Sequence, residues 1–148
     1  MQRKITPSSD PQTEDWLRLC LVPGVGPRIL AELLEYFETP TAVLAATAVQ
    51  LQHVDGVGNR LAQSIVDASR KIDSKKVLAE CQRENIQILT RSADGYPRML
   101  REIPDPPGIL FLQGTLQAVD ALAIAVVGSR NATRYGITQA QRIATGLA

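Results

Sequence analysis

Aliphatic residues recur at intervals of three and four through residues 12–72, and that spacing predicts helices there. Two stretches within it repeat. Leu21-Val22-Pro23-Gly24-Val25-Gly26-Pro27 precedes a helical run over 28–37. Thirty-two residues further on, Val54-Asp55-Gly56-Val57-Gly58-Asn59 precedes a second helical run over 60–70. Each copy joins an apolar helix end to a new helix through Gly-Val-Gly. The glycines permit positive φ, so the chain reverses within a few residues. The valine between them is expected in the core. Between the copies, residues 41–54 predict one or two short helices, opened by Thr39-Pro40.

Beyond residue 72 the pattern changes. Residues 74–85 form an amphipathic helix, with Val77, Leu78 and Cys81 on one face and Lys75, Lys76, Glu80, Arg83 and Glu84 outside. Ile86-Gln87-Ile88-Leu89-Thr90 predicts a strand. Asp94-Gly95-Tyr96-Pro97 is a turn signal, followed by a short helix over 98–102 and a stiff Pro104-Asp105-Pro106-Pro107-Gly108 connection. A second strand is expected over 109–112, closed by Gly114, and a third over 123–127. That third segment, Ala-Ile-Ala-Val-Val, is continuously apolar, as in a parallel strand buried on both faces. From Tyr135 onward Ile137, Ala140, Ile143, Ala144 and Leu147 return to helical spacing.

Composition narrows the class. The 148 residues are 45% hydrophobic and 21% charged, as expected of a globular protein, with a net charge of +1. Residues 1–70 carry six Lys/Arg and eight Asp/Glu, and residues 71–148 carry ten and seven, so an anion is better hosted in the second half. Cys20 and Cys81 are far apart and without metal-ligand spacing; both are expected to pack as small apolar residues in a reducing compartment, with no metal site. Residues 1–11 are polar and proline-containing, a frayed tail without the apolar core of a signal peptide. No apolar run reaches the ~20 residues of a membrane span. A cytoplasmic protein without membrane contact is expected.

The candidate chemistry lies where the third strand breaks. Gly128, Ser129 and Arg130, followed by Thr133, Tyr135 and Gly136, form a glycine turn between a strand and a helix start. Backbone N–H groups and the positive end of the helix dipole attract anions at such a corner. Arg130 adds a planar, permanently charged fork suited to phosphate oxygens. The dinucleotide fingerprint G-x-G-x-x-G and the Walker pattern are both missing. By these residues alone the corner is open between a phosphate site and an ordinary turn with a surface arginine. Tyr135 is expected to pack, with base stacking as its alternative role.

The paired hairpins resemble a helix-hairpin-helix tandem of the sterile-alpha-motif-like kind found in DNA-handling proteins. In such hairpins, backbone N–H groups at Gly24, Gly26, Gly56 and Gly58 face outward to DNA or protein. Arg28 and Arg60 each follow a second glycine by two positions, but Glu32, Glu35, Glu38, Asp55 and Asp67 surround them. A structural or protein-docking bundle is therefore favoured over tight DNA binding. His53, the sole histidine, is expected to cap or pack.

The full order is hairpin bundle, then D-G-Y-P-R-M-L-R-E-I-P-D-P-P-G-I-L-F-L-Q-G, then A-V-V-G-S-R-N-A-T-R-Y-G. It resembles the DNA processing protein A family (DprA, also called Smf) from about residue 12 to the end. The resemblance implies a non-enzymatic protein, without cofactor, that binds single-stranded DNA and assists loading of the RecA recombinase in DNA-mediated transformation. It implies a Rossmann-like domain whose Gly128, Ser129 and Arg130 line a basic phosphate pocket, with Thr133, Tyr135 and Gly136 completing the turn. It also implies a homodimer of the full-length protein.

The expected fold class is thus α plus α/β: a helix-hairpin-helix bundle over 12–72, then over 73–148 the first, incomplete part of a Rossmann-like doubly wound domain. Family members continue through further strands, a second glycine-rich stretch and often a winged helix, so a fragment or truncated reading frame is expected. Three strands and one helix would leave apolar surface uncovered. Two other functions stay open: a protein-interaction scaffold built on the bundle, and a nucleotide-binding Rossmann-like enzyme. Against the enzyme, His53 lies in the other domain, and Asp94, Asp105 and Asp120 show no pairing suited to acid–base work.

Overall fold

The computed structural model describes residues 11–117 and 124–147. Residues 1–10 of the tail expected over 1–11 and Ala123 of the expected third strand lie outside them, whereas Pro11 is the first residue of α1. By packing, the chain divides into two compact units, one through Thr115 and one from Leu116.

In the first unit the helices are α1 (Pro11–Cys20), α2 (Pro27–Phe37), α3 (Pro40–Ala45), α4 (Ala48–Leu51), α5 (Asn59–Val66), α6 (Ala68–Lys71), α7 (Ser74–Arg83) and α8 (Arg98–Arg101). The strands are β1 (Ile86–Thr90) and β2 (Ile109–Gln113). Local chemistry sets several of these limits. Thr39 accepts from the Ala42 amide and Pro40 opens α3. Thr47 and Gln50 form a reciprocal capping box on α4. The Asp73 carboxylate accepts from the Lys76 amide at the start of α7.

The internal repeat is also a structural repeat. Leu19 and Leu51, Val22 and Val54, Val25 and Val57, Leu30 and Ala62, and Leu33 and Ile65 are all buried in one core. Each pair is separated by the same 32 positions. The hairpin hydrogen bonds correspond as well: Val25 N–H to the Val22 carbonyl at 3.0 Å, and Val57 N–H to the Val54 carbonyl at 3.1 Å. The packing is reciprocal. A Cβ on Gly24 would meet Leu61 Cδ1 of α5 at 3.2 Å, and one on Gly56 would meet Ile29 Cδ1 of α2 at 2.7 Å. Each hairpin leans on the helix that leaves the other.

The two glycines of each hairpin differ. Gly24 has φ +98° and Gly56 φ +77°, the conformation that L-side chains resist. Gly26 (φ −84°) and Gly58 (φ −79°) are extended N-caps of α2 and α5. The expectation of positive φ therefore holds for the first glycine only, because the second already has the geometry that precedes a helix.

The segment after the bundle is fastened to it. A Cβ on Gly108 would overlap Leu30 Cδ2 and lie 2.7 Å from Cys20 Sγ. Pro106 is fully buried, and the Tyr96 hydroxyl donates to the Pro107 carbonyl at 2.7 Å. Arg18 ties α1 to α7 by donating to Ser74 Oγ at 2.9 Å.

β1 and β2 pair antiparallel, Ile86 opposite Gln113 and Thr90 opposite Ile109. The parallel sheet expected of a Rossmann-like domain is not seen among the described residues. The expected third strand is corrected. Residues 124–127 are irregular and exposed, with Val127 89% exposed. A doubly buried strand needs hydrogen-bonded neighbours on its edges and cover on its faces, and among the described residues these have neither. Ile124, Val126 and Val127 are accordingly exposed.

In the second unit, α9 (Arg134–Leu147) follows the turn. Its Ile137, Ile143 and Leu147 are exposed.

Candidate nucleic-acid interface

The turn before α9 is built by two short side chains. Ser129 Oγ accepts from the Asn131 amide at 3.2 Å, a local bond that bends the chain just after Gly128. Thr133 Oγ1 accepts from the Gly136 amide at 3.1 Å, and the Thr133 carbonyl accepts from the Ile137 amide at 3.0 Å. Thr133 is therefore the N-cap of α9, and Gly136 its third helical residue. These bonds occupy two of the amides that the sequence left available to an anion. Sequence reasoning missed this cap because Gly136 stands where a capping box carries Glu or Gln.

Arg130 is exposed and forms no ion pair among the described residues. Nothing lies within 4 Å of where a Cβ on Gly128 would be. Tyr135 is 74% exposed, which corrects the expectation that it packs. The structure thus brings Gly128, Ser129, Arg130, Thr133, Tyr135 and Gly136 into one open corner. Thr133 and Gly136 shape it from within, while Arg130 and Tyr135 project from it.

The hairpins present a second surface. Neither Gly26 nor Gly58 makes a side-chain cap, and no atom lies within 4 Å of either virtual Cβ. The first-turn N–H groups of α2 and α5 have no intrahelical acceptors, so both helix starts are open to an outside acceptor. The local charge works against an anion. Arg28 is engaged by Asp55 across the two hairpins at 3.6 Å. Glu32, Glu35, Tyr36, His53 and Asp55 line an open groove beside them. His53 is exposed there and neither caps nor packs, contrary to expectation.

Other titratable groups have structural explanations. Burial pushes the Cys20 thiol up to about 12, and burial followed by the nearby Glu80 charge raises Cys81. Both cysteines are free. The Asp67 carboxyl is held below its usual range, chiefly by the hydrogen bond from Lys71. Among the described residues no three His, Cys, Asp or Glu side chains are grouped to hold a metal ion. No helix among them is long and apolar enough to cross a membrane.

A core shared by two hairpins with matching buried positions and hydrogen bonds defines the first unit's bundle as a helix-hairpin-helix tandem of SAM-like type, and that family's sequence profile matches residues 17–71. The profile described as DNA recombination-mediator protein A matches residues 87–148. Protein Smf of Synechocystis is 32% identical over 136 residues, covering 89% of this chain and 34% of that protein. Protein Smf of Escherichia coli K12 is 31% identical, covering 84% of this chain and 32% of that protein. DNA processing protein DprA of Bacillus subtilis is 37% identical over 62 residues, 41% of this chain and 21% of that protein. The chain belongs to the DNA processing protein A (Smf/DprA) family. It spans about a third of the length of the two Smf proteins. No solved structure matches.

Proposed function

We propose that this chain is part of a non-enzymatic, cytoplasmic DNA-processing protein that binds single-stranded DNA and assists RecA loading in DNA-mediated transformation. The observation that carries the reading is Arg130: an exposed guanidinium without a carboxylate partner among the described residues, on an open turn that leads into α9. At such a place backbone phosphates are held by charge and by N–H donors without reading bases. Exposed Tyr135 at the same corner offers a ring on which an unpaired base can stack. Ser129 and Thr133 keep the turn in shape, and Gly128 leaves room for a close approach.

The test is Arg130→Ala, titrated against a labelled oligothymidine by fluorescence anisotropy at several salt concentrations. A charge-assisted contact is worth about 1.5–3 kcal/mol, so binding weakens by about tenfold or more. The slope of log K against log salt flattens by about 0.7, one phosphate contact on a single strand. Unchanged affinity and slope overturn the reading.

A second reading concerns the bundle. Arg28 is neutralised by Asp55, and the groove beside it is lined by Glu32, Glu35 and Asp55. That surface suits a protein partner better than a polyanion. Glu32→Lys with Glu35→Lys removes capture of such a partner and leaves oligothymidine binding at the turn unchanged.

A further inference from the structure

Four cations fall within seven residues at the junction of α6 and α7: Arg70, Lys71, Lys75 and Lys76. None belongs to the hairpins or to the turn before α9. The fold gathers three of them around one cleft, lined by Arg18, Ser69, Arg70, Lys71, Ser74 and Lys75, with Asp73 also at its wall. The acids that balance these cations are placed differently from the cations themselves. Asp67 accepts from Arg70 at 2.9 Å and from Lys71 at 3.0 Å, yet its side chain is only 16% exposed, against 77% and 72% for its partners. Glu14 and Asp15, which pair with Arg18, are likewise mostly covered. Asp73 spends one carboxylate oxygen on the Lys76 amide.

An approaching ligand therefore meets the cations first. Asp67 acts as a clip that holds Arg70 and Lys71 side by side, and so lowers the entropy lost when both engage one anionic chain. Arg18, fixed by Ser74, Glu14 and Asp15, braces the floor.

We infer that the α6–α7 cleft is a second nucleic-acid contact, in which Arg70, Lys71 and Lys75 take backbone phosphates without regard to sequence. Such a contact adds affinity through release of counterions from the strand, in proportion to the phosphates neutralised. It rests on the reading that this chain handles DNA. It differs from it in place, since the turn at Arg130 is in the other compact unit.

The test uses the whole chain with Arg70→Gln, Lys71→Gln and Lys75→Gln combined. All three side chains are solvent-facing, so the fold is expected to persist, and circular dichroism checks it. Labelled oligothymidine and a duplex of equal length are titrated separately across a salt series. The expected result is a salt slope reduced by about 2 on the single strand, three contacts at ~0.7 each, and affinity reduced about tenfold or more near 0.15 M salt. A loss confined to the duplex also supports the cleft and identifies its substrate as double-stranded. The charge-preserving pair Lys71→Arg and Lys75→Arg keeps wild-type binding. Unchanged slopes on both nucleic acids overturn the inference, even where Arg130→Ala weakens binding. If Arg130→Ala is silent while the triple variant is not, the turn is wrong and the cleft stands.

Discussion

Replacing glycine by alanine at the four hairpin positions separates two physical roles. At Gly56, φ is +77° and the new Cβ lies 2.7 Å from Ile29 Cδ1. The left-handed backbone costs about 1–2 kcal/mol for an L-residue. Moving the Ile29 tip off its rotamer costs about 0.5–1.5 kcal/mol more. Alanine recovers about 0.4–1 kcal/mol by restricting the unfolded chain. The net loss is about 2 kcal/mol. Gly24→Ala is milder, because its Cβ stands 3.2 Å from Leu61 Cδ1. Gly26→Ala and Gly58→Ala meet no atom within 4 Å and need no unusual φ, so they stay within about 1 kcal/mol of wild type, the scale of an N-cap preference. With an unfolding entropy of ~2.1 cal/mol/K per residue over the first unit, 2 kcal/mol lowers Tm by about 8 °C. Thermal melts followed by circular dichroism at 222 nm report the differences. Ile29→Ala in the Gly56→Ala background removes the overlap, so the two changes are expected to be less than additive. If Gly58→Ala lowers Tm as far as Gly56→Ala does, backbone conformation is not what divides the glycines, and the reasoning fails.

Other expectations follow from single contacts. Gly108→Ala drives a methyl group into Leu30 and Cys20 and destabilises the first unit by about 1–3 kcal/mol, readable as a lower urea midpoint; an unchanged midpoint means the loop is not seated on the bundle. Thr133→Ala removes the N-cap of α9 and costs that helix about 1 kcal/mol, seen as faster hydrogen exchange at the Gly136 amide, whereas Thr133→Ser preserves protection. The Cys20 thiol, with a folded pKa of about 12 against 9 for the free group, stays protonated while the unfolded chain ionises. Its contribution is thus whole below pH 9 and is lost as pH rises toward 12. Urea melts between pH 8.5 and 10.5 show wild type losing stability faster than Cys20→Ala, and parallel curves refute the assignment.

The bundle was legible because its signal is repeated and local. Gly-Val-Gly at a spacing of 32 marked both hairpins, and the placement of Val25 and Val57 in the core followed from the same pattern. The limits of β1 could be read directly from the aliphatic run Ile86-Gln87-Ile88-Leu89-Thr90. The strand expected over 123–127 fails for a different reason: its apolar run records a demand for burial, and burial is met only by neighbours that the run does not itself encode. Tyr135 was misjudged on the same ground, since a place in the first turn of a helix does not say whether anything covers the side chain. At the turn, the sequence identified Arg130 as available, but the Thr133 cap is a matter of backbone geometry that Thr-Arg-Tyr-Gly does not announce. The cleft at α6–α7 escaped notice because its cations straddle a helix boundary, so that periodicity assigned Lys75 and Lys76 to an outward face and passed over Arg70 and Lys71.

The crossed seating of Gly24 against Leu61 and Gly56 against Ile29 has a bearing on how this bundle can change over generations. Neither repeat owns its own binding wall, since the residue that shapes each turn is carried by the opposite copy. A side chain gained at 56 or 24 must be answered 27 or 37 positions away in the chain, at 29 or 61. The two copies are therefore bound to drift together, and either one separated from its sibling would be left with half of a lock.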